Sequence, residues 1–102
     1  MKRVMVRYKV KADRVAENEN LIARVFEQLH RDKPSGLRYA SFKSSDGLSF
    51  VHIVSLEGPE GSNPLGSLDA FKSFTAQVKE RCDEPPVPME LSEVGSYRFF
   101  GG

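Results

Sequence analysis

The residue best placed to do chemistry in this sequence is His52, in the run Phe50-Val51-His52-Ile53-Val54. Alternation puts it on the same face as Phe50 and Val54, so a titratable ring stands mid-strand on an otherwise apolar surface. Two roles are open to it. It can hydrogen-bond a phenolic or quinone oxygen, or act as a base on one, because an unperturbed imidazole titrates near neutrality. Equally, it can be a core histidine hydrogen-bonded to Tyr8 or Tyr39. Those two tyrosines either offer hydroxyls at a pocket mouth or satisfy them inside the core. Phe26, Phe71 and Phe74 recur at helical spacing and either wall an aromatic-binding pocket or form plain core. In the enzymatic reading His52 and Tyr39 are the catalytic pair and orient the substrate. Tyr8, Val54, Phe71, Phe74 and Phe26 then form the ligand-binding wall.

The other candidates are weaker. His30 beside Arg31 suits the C-terminal end of a helix dipole. The two histidines lie far apart with no carboxylate at ligand spacing, so no metal is expected. The single Cys82 excludes an intrachain disulfide and reads as inert packing. Segment 57–66 is rich in glycine but lacks a following Lys-Ser/Thr, so it is not a phosphate loop. The run Gly47-Leu48-Ser49-Phe50-Val51-His52-Ile53 partly fits an RNA-recognition signature. Asp46 stands in its basic position, however, and Leu48 and Ile53 replace two of its rings.

The elements that must position these residues follow from periodicity. Val4, Val6, Tyr8 and Val10 alternate with Arg3, Met5, Arg7 and Lys9, which predicts a first strand. Asp13 is the expected N-cap of a helix running to about Arg31, with Val15, Ile22, Val25, Phe26 and Leu29 on its apolar face. Pro34-Ser35-Gly36 stops it. Residues 37–43 and 48–56 read as strands joined by the turn Ser44-Ser45-Asp46-Gly47. After the 57–66 loop, Ser67 is the expected cap of a second helix carrying Leu68, Phe71, Phe74, Val78 and Cys82. Pro85, Pro86 and Pro88 force extended chain, Met89 and Leu91 mark a fourth strand, and Tyr97 to Phe100 form an aromatic tail.

The order β-α-β-β-α-β is that of an α+β ferredoxin-like sandwich with both helices on one face. Its opposite face is apolar too: Met5, Val51 and Ile53, joined by either Ala40 and Phe42 or Leu37 and Tyr39. Such a patch expects a partner, and a symmetric homodimer covers it most simply. The aromatic tail is expected on the partner subunit.

The chain has 102 residues, read as one domain over 1–102, with 15 Lys and Arg against 14 Asp and Glu. A net charge of +1 argues against a dedicated nucleic-acid or polybasic membrane binder. Its N-terminus carries a charge at nearly every second position and no apolar run is long enough to span a bilayer, so a cytoplasmic location is expected.

Arg7-Tyr8-Lys9-Val10-Lys11, Gly36-Leu37-Arg38-Tyr39, the strand from Phe50 to Leu56 and Leu68-Asp69-Ala70-Phe71-Lys72-Ser73-Phe74 resemble the dimeric α+β barrel superfamily. Within it the antibiotic biosynthesis monooxygenase-like proteins are most similar. The resemblance implies a homodimer whose sheets face each other and a ligand cavity between sheet and helices; some relatives act without metal or cofactor and others bind or degrade haem, and no cofactor is expected here. It leaves two functions open. One is a cofactor-independent monooxygenase acting on an aromatic or quinone-type small molecule. The other is a non-catalytic dimeric protein that binds a small aromatic or apolar ligand.

Overall fold

The computed structural model describes residues 1–59 and 62–99. Strand β1 (Lys2–Val10) leads through a short 3-10 turn (Ala12–Arg14) into helix α1 (Val15–Asp32). Strands β2 (Leu37–Lys43) and β3 (Ser49–Leu56) follow as a hairpin. Helix α2 (Asp69–Ala76), the single turn α3 (Val78–Arg81) and strand β4 (Cys82–Leu91) complete the fold. The sheet is antiparallel in the order β2-β3-β1-β4, which is the ferredoxin-like α+β arrangement.

Register decides what each face carries. Val4 opposes Val54, Val6 opposes His52 and Tyr8 opposes Phe50, while Tyr39 and Ser41 of β2 lie across from Val54 and His52. These residues all point toward the helices. Tyr8, Val10, Val25, Phe50, Leu65, Leu68, Phe74 and Cys82 form the buried core there. Between them fall Met5, Val51 and Ile53 on the open face, joined by Ala40 and Phe42. Leu37 and Tyr39 belong to the helix side.

Local chemistry explains where the helices begin and end. Asp13 lies inside the 3-10 turn and is not the cap; that position before α1 belongs to Arg14, which makes no side-chain cap and pairs instead with Glu17. α1 closes at Lys33, which takes a left-handed backbone (φ 46°) and donates its N–H to the Leu29 carbonyl before Pro34. Ser67 is not the cap of α2 either. The Gln28 side chain of α1 accepts the Ala70 N–H at 2.9 Å, so the neighbouring helix satisfies this first-turn donor.

The second helical region is broken at Gln77, and Cys82 opens β4 rather than ending a helix. The break frees the Phe74 carbonyl, and Arg81 donates to it at 2.7 Å. β4 tolerates its three prolines because it is an edge strand, with a register shift between its pairs with Arg7 and Lys9.

Beyond β4 the chain returns across the open face. Glu93 pairs with Arg3, whose guanidinium also donates to the buried Ser55 hydroxyl. Phe99 lines a groove with Arg38, Ala40, Phe42 and Ile53. Phe99 thus lies beside its own sheet while remaining mostly exposed, Tyr97 is exposed, and Phe100 lies outside the described residues. Among the described residues, no helix is long and apolar enough to cross a membrane.

Candidate functional site

His52 is buried beneath the helices, and both of its ring nitrogens are engaged. Nε2 lies 2.7 Å from the Tyr8 hydroxyl, and Nδ1 lies 2.6 Å from the Tyr39 hydroxyl and 2.8 Å from Ser41 Oγ. The histidine therefore bonds both tyrosines. All seven residues expected from the sequence gather here. The Tyr8 and Phe74 rings sit 5.3 and 5.4 Å from the imidazole. Phe26 stacks on Tyr39 at 5.2 Å, and Phe71 meets the same ring edge-on at 6.4 Å. Val54 is the cross-strand neighbour of Tyr39.

Three further residues complete the cluster. Ser41 lies across from His52 in register. Asn18, fully buried on α1, donates from Nδ2 to the Tyr8 hydroxyl at 2.9 Å. Arg81 of α3 is also buried; its Nε donates to Asn18 Oδ1 at 3.2 Å and its guanidinium lies 5.3 Å from the centre of the Phe74 ring. A continuous string, Arg81–Asn18–Tyr8–His52–Tyr39 with Ser41, thus runs through the core from α3 to β2. Asn18 left a trace in the sequence as an amide at a core position of the α1 stripe, between Val15 and Ile22. Arg81 left none.

Burial sets the ionisation of the string. Desolvation pulls the His52 pKa down to about 4, so its ring is neutral at pH 7. It pushes Tyr39 up to about 12, against a lowering by its hydrogen bond to Ser41. Tyr8 is raised further for the same reason, so both phenols stay protonated. Burial likewise raises the Cys82 thiol, in keeping with a packing role. Among the described residues, no group of three His, Cys, Asp or Glu side chains comes together to hold a metal.

The string meets an opening at one end. A groove of about 260 Å³ lies between the C-terminal end of α1 and β2, lined by Phe26, Leu29, Pro34, Leu37 and Tyr39, with His30 and Lys33 beside them. Its lining is mixed: two aromatic rings, Phe26 and Tyr39, and three aliphatic residues share it with the basic groups. A larger space of about 710 Å³ near Met1, Leu56, Gly58 and Asn63 contains no member of the string.

No protein-family model matches the sequence, and no curated protein matches it either. Solved structures do match in fold. An antibiotic biosynthesis monooxygenase superposes with a TM-score of 0.75 over 93% of this chain and 100% of its own, at 16% identity. Rv0793 from Mycobacterium tuberculosis gives 0.75 over 93% and 96%, at 18% identity. SnoaB from Streptomyces nogalater, described as a cofactor-independent oxygenase, gives 0.68 over 93% and 94%, at 15% identity. The chain has the α+β fold of antibiotic biosynthesis monooxygenase-like proteins.

Proposed function

We propose that this protein is a cofactor-independent monooxygenase acting on an aromatic or quinone-type small molecule held at Tyr39, and that it works as a homodimer. The observation that carries the reading is the buried string of hydrogen bonds that ends at Tyr39, a residue that also lines the aromatic groove. A flat ring fits against Phe26 and Leu37, and an oxygen on it meets the Tyr39 hydroxyl. A donor held in place by the string stabilises the oxyanion of an ionised substrate, because the donor itself need not reorganise around the developing charge. Such an anion is electron-rich enough to reduce dioxygen directly. One ring methylene of the substrate is oxidised to a carbonyl as both of its C–H bonds and the O–O bond break. One oxygen atom becomes the carbonyl oxygen, and the other leaves as water with the two hydrogens. His52 acts through Tyr39, since both of its nitrogens are committed within the protein. The fold shared with SnoaB, a cofactor-independent oxygenase, supports the same reading.

One observation favours binding without turnover. His52 is neutral but fully bonded, and both tyrosines are held protonated, so the cluster offers no uncommitted base. A substrate must then ionise by its own acidity. Oxygen uptake with anthrone- and quinol-type compounds separates the readings. Turnover that disappears in Tyr39→Phe supports the oxygenase; saturable binding without uptake assigns the protein to ligand binding. The homodimer rests on the open apolar face of Met5, Phe42, Val51, Ile53 and Met89, and sedimentation at low micromolar concentration tests it.

A further inference from the structure

The string of buried hydrogen bonds has a direction, and one residue sets it. A guanidinium offers only donors, so Arg81 Nε must face the amide oxygen of Asn18, which turns the Asn18 amino group toward Tyr8. The Tyr8 oxygen accepts that proton, and the single Tyr8 hydroxyl proton goes on to His52 Nε2. Nε2 is therefore bare and the ring proton of neutral His52 sits on Nδ1, facing Tyr39 and Ser41. Around that corner there are three protons: Nδ1–H and the two hydroxyl protons. Nδ1 cannot accept. Its proton goes to one hydroxyl oxygen, a second proton joins Tyr39 to Ser41, and the third has no place inside the triangle. The β2 end of the string is thus a net donor. With the opposite tautomer Nδ1 would accept, both hydroxyl protons would be used internally, and the end would offer only lone pairs.

We propose that Arg81 is a positioning residue that fixes the His52 tautomer through Asn18 and Tyr8, and so restricts the ligand at Tyr39 to one presenting an acceptor oxygen. A quinone carbonyl, a phenolate or the oxygen of a neutral phenol qualifies; a ring that bears only an N–H donor, as indole does, does not. The ligand half of this inference rests on the site proposed above, whereas the tautomer half stands on the chain's own geometry.

Nitrogen-15 NMR of the histidine side chains tests the direction, since protonated and bare ring nitrogens resonate far apart. The full-length protein should show His52 with the proton on Nδ1. Arg81→Met frees the Asn18 amide to turn and should give a mixture of tautomers. Because that variant empties a buried site and can fail to fold, Asn18→Asp is the stronger test. Its carboxylate pairs with Arg81 and accepts from Tyr8, so Tyr8 must accept from His52 and the proton moves to Nε2. An Nε2 proton in the native protein, or an Nδ1 proton in Asn18→Asp, overturns the inference. Binding of 1,4-naphthoquinone and of indole, whose ring N–H only donates, then tests the selectivity. The native protein should prefer the quinone by about tenfold or more, as expected when a buried donor is left unpaired by the wrong ligand. Asn18→Asp should lose that preference. Equal affinity in the native protein overturns the ligand class. Binding of neither compound overturns the ligand site itself and leaves the tautomer result standing.

Discussion

On the helix side of the sheet, Tyr8, Phe50 and His52 keep 3, 2 and 5% of their surface. On the other side Phe42, Val87 and Met89 keep 48, 55 and 53%. The two sets alternate along the strands, yet they obey different rules. The covered face admits an arginine, an asparagine, a histidine and two tyrosines, because each finds its partner there. Among the described residues no buried side-chain nitrogen or oxygen lacks one. The open face is simpler in chemistry and incomplete in packing. Its apolar residues are partly covered by the chain after β4, through Glu93 on Arg3 and Phe99 beside Phe42. Polarity inside this protein is thus paired, in the string and in Ser55 beside Arg3, while the apolar residues of the other face stay half exposed.

The largest effect expected from this contrast is on the covered side. Phe74→Ala should cost about 3–5 kcal/mol in urea unfolding, since Phe74 packs on Tyr8, His52, Phe71 and Arg81 together.

Acid comes next. The folded pKa of His52 is about 4 against 6.5 for a free ring, so the unfolded chain binds more protons between these values. The contribution is fully present above pH 6.5, declines as pH falls toward 4, and is worth on the order of 3 kcal/mol across that window. His52→Gln should flatten that part of the stability profile. An unchanged slope would mean that His52 is not buried neutral.

Tyr8→Phe removes one hydroxyl but strands both Asn18 Nδ2 and His52 Nε2, so a loss of about 2 kcal/mol is expected from chemical denaturation. Phe42→Ser sharpens the comparison from the other side. In the isolated subunit it should change stability by less than about 0.5 kcal/mol, as an exposed substitution does. If a second copy covers the face, the same substitution should weaken self-association in sedimentation. An effect of several kcal/mol at a concentration where the chain is monomeric would instead make the open face part of the core.

Most of the fold is legible because its signals are local. Alternation from Arg3 to Val10, the Ser44 to Gly47 turn and the apolar stripe of α1 each predict an element that is present. The helix starts expected at Asp13 and Ser67 differ because capping depends on what packs nearby: Gln28, 42 residues earlier in the chain than Ala70, does the work expected of Ser67. The break at Gln77 is hidden for a related reason. Val78 and Cys82 continue the apolar spacing even though the backbone turns between them and the preceding helix.

The site divides in the same way. Its aromatic wall and its histidine can be read from alternation and spacing alone. Arg81 cannot, and Asn18 shows only as an amide on the apolar stripe of α1, because a polar residue in a helix looks solvated until the neighbouring elements close over it. These two approach across 63 positions of sequence, and only tertiary structure brings them together. How the histidine is protonated is consequently a property of the whole fold.

The prolines of β4 have a consequence beyond shaping the strand. Three of its ten residues, Pro85, Pro86 and Pro88, offer no backbone N–H, and a register shift twists the strand beside them. An incoming strand from another molecule would find gaps where donors should be, so this border resists the ribbon-by-ribbon growth that leads to fibrils. A protein that leaves apolar side chains uncovered on one face needs that protection at its margin. If a second copy covers the open face, as proposed, the contact forms by stacking face against face, while growth along the hydrogen-bonding direction is blocked on this side.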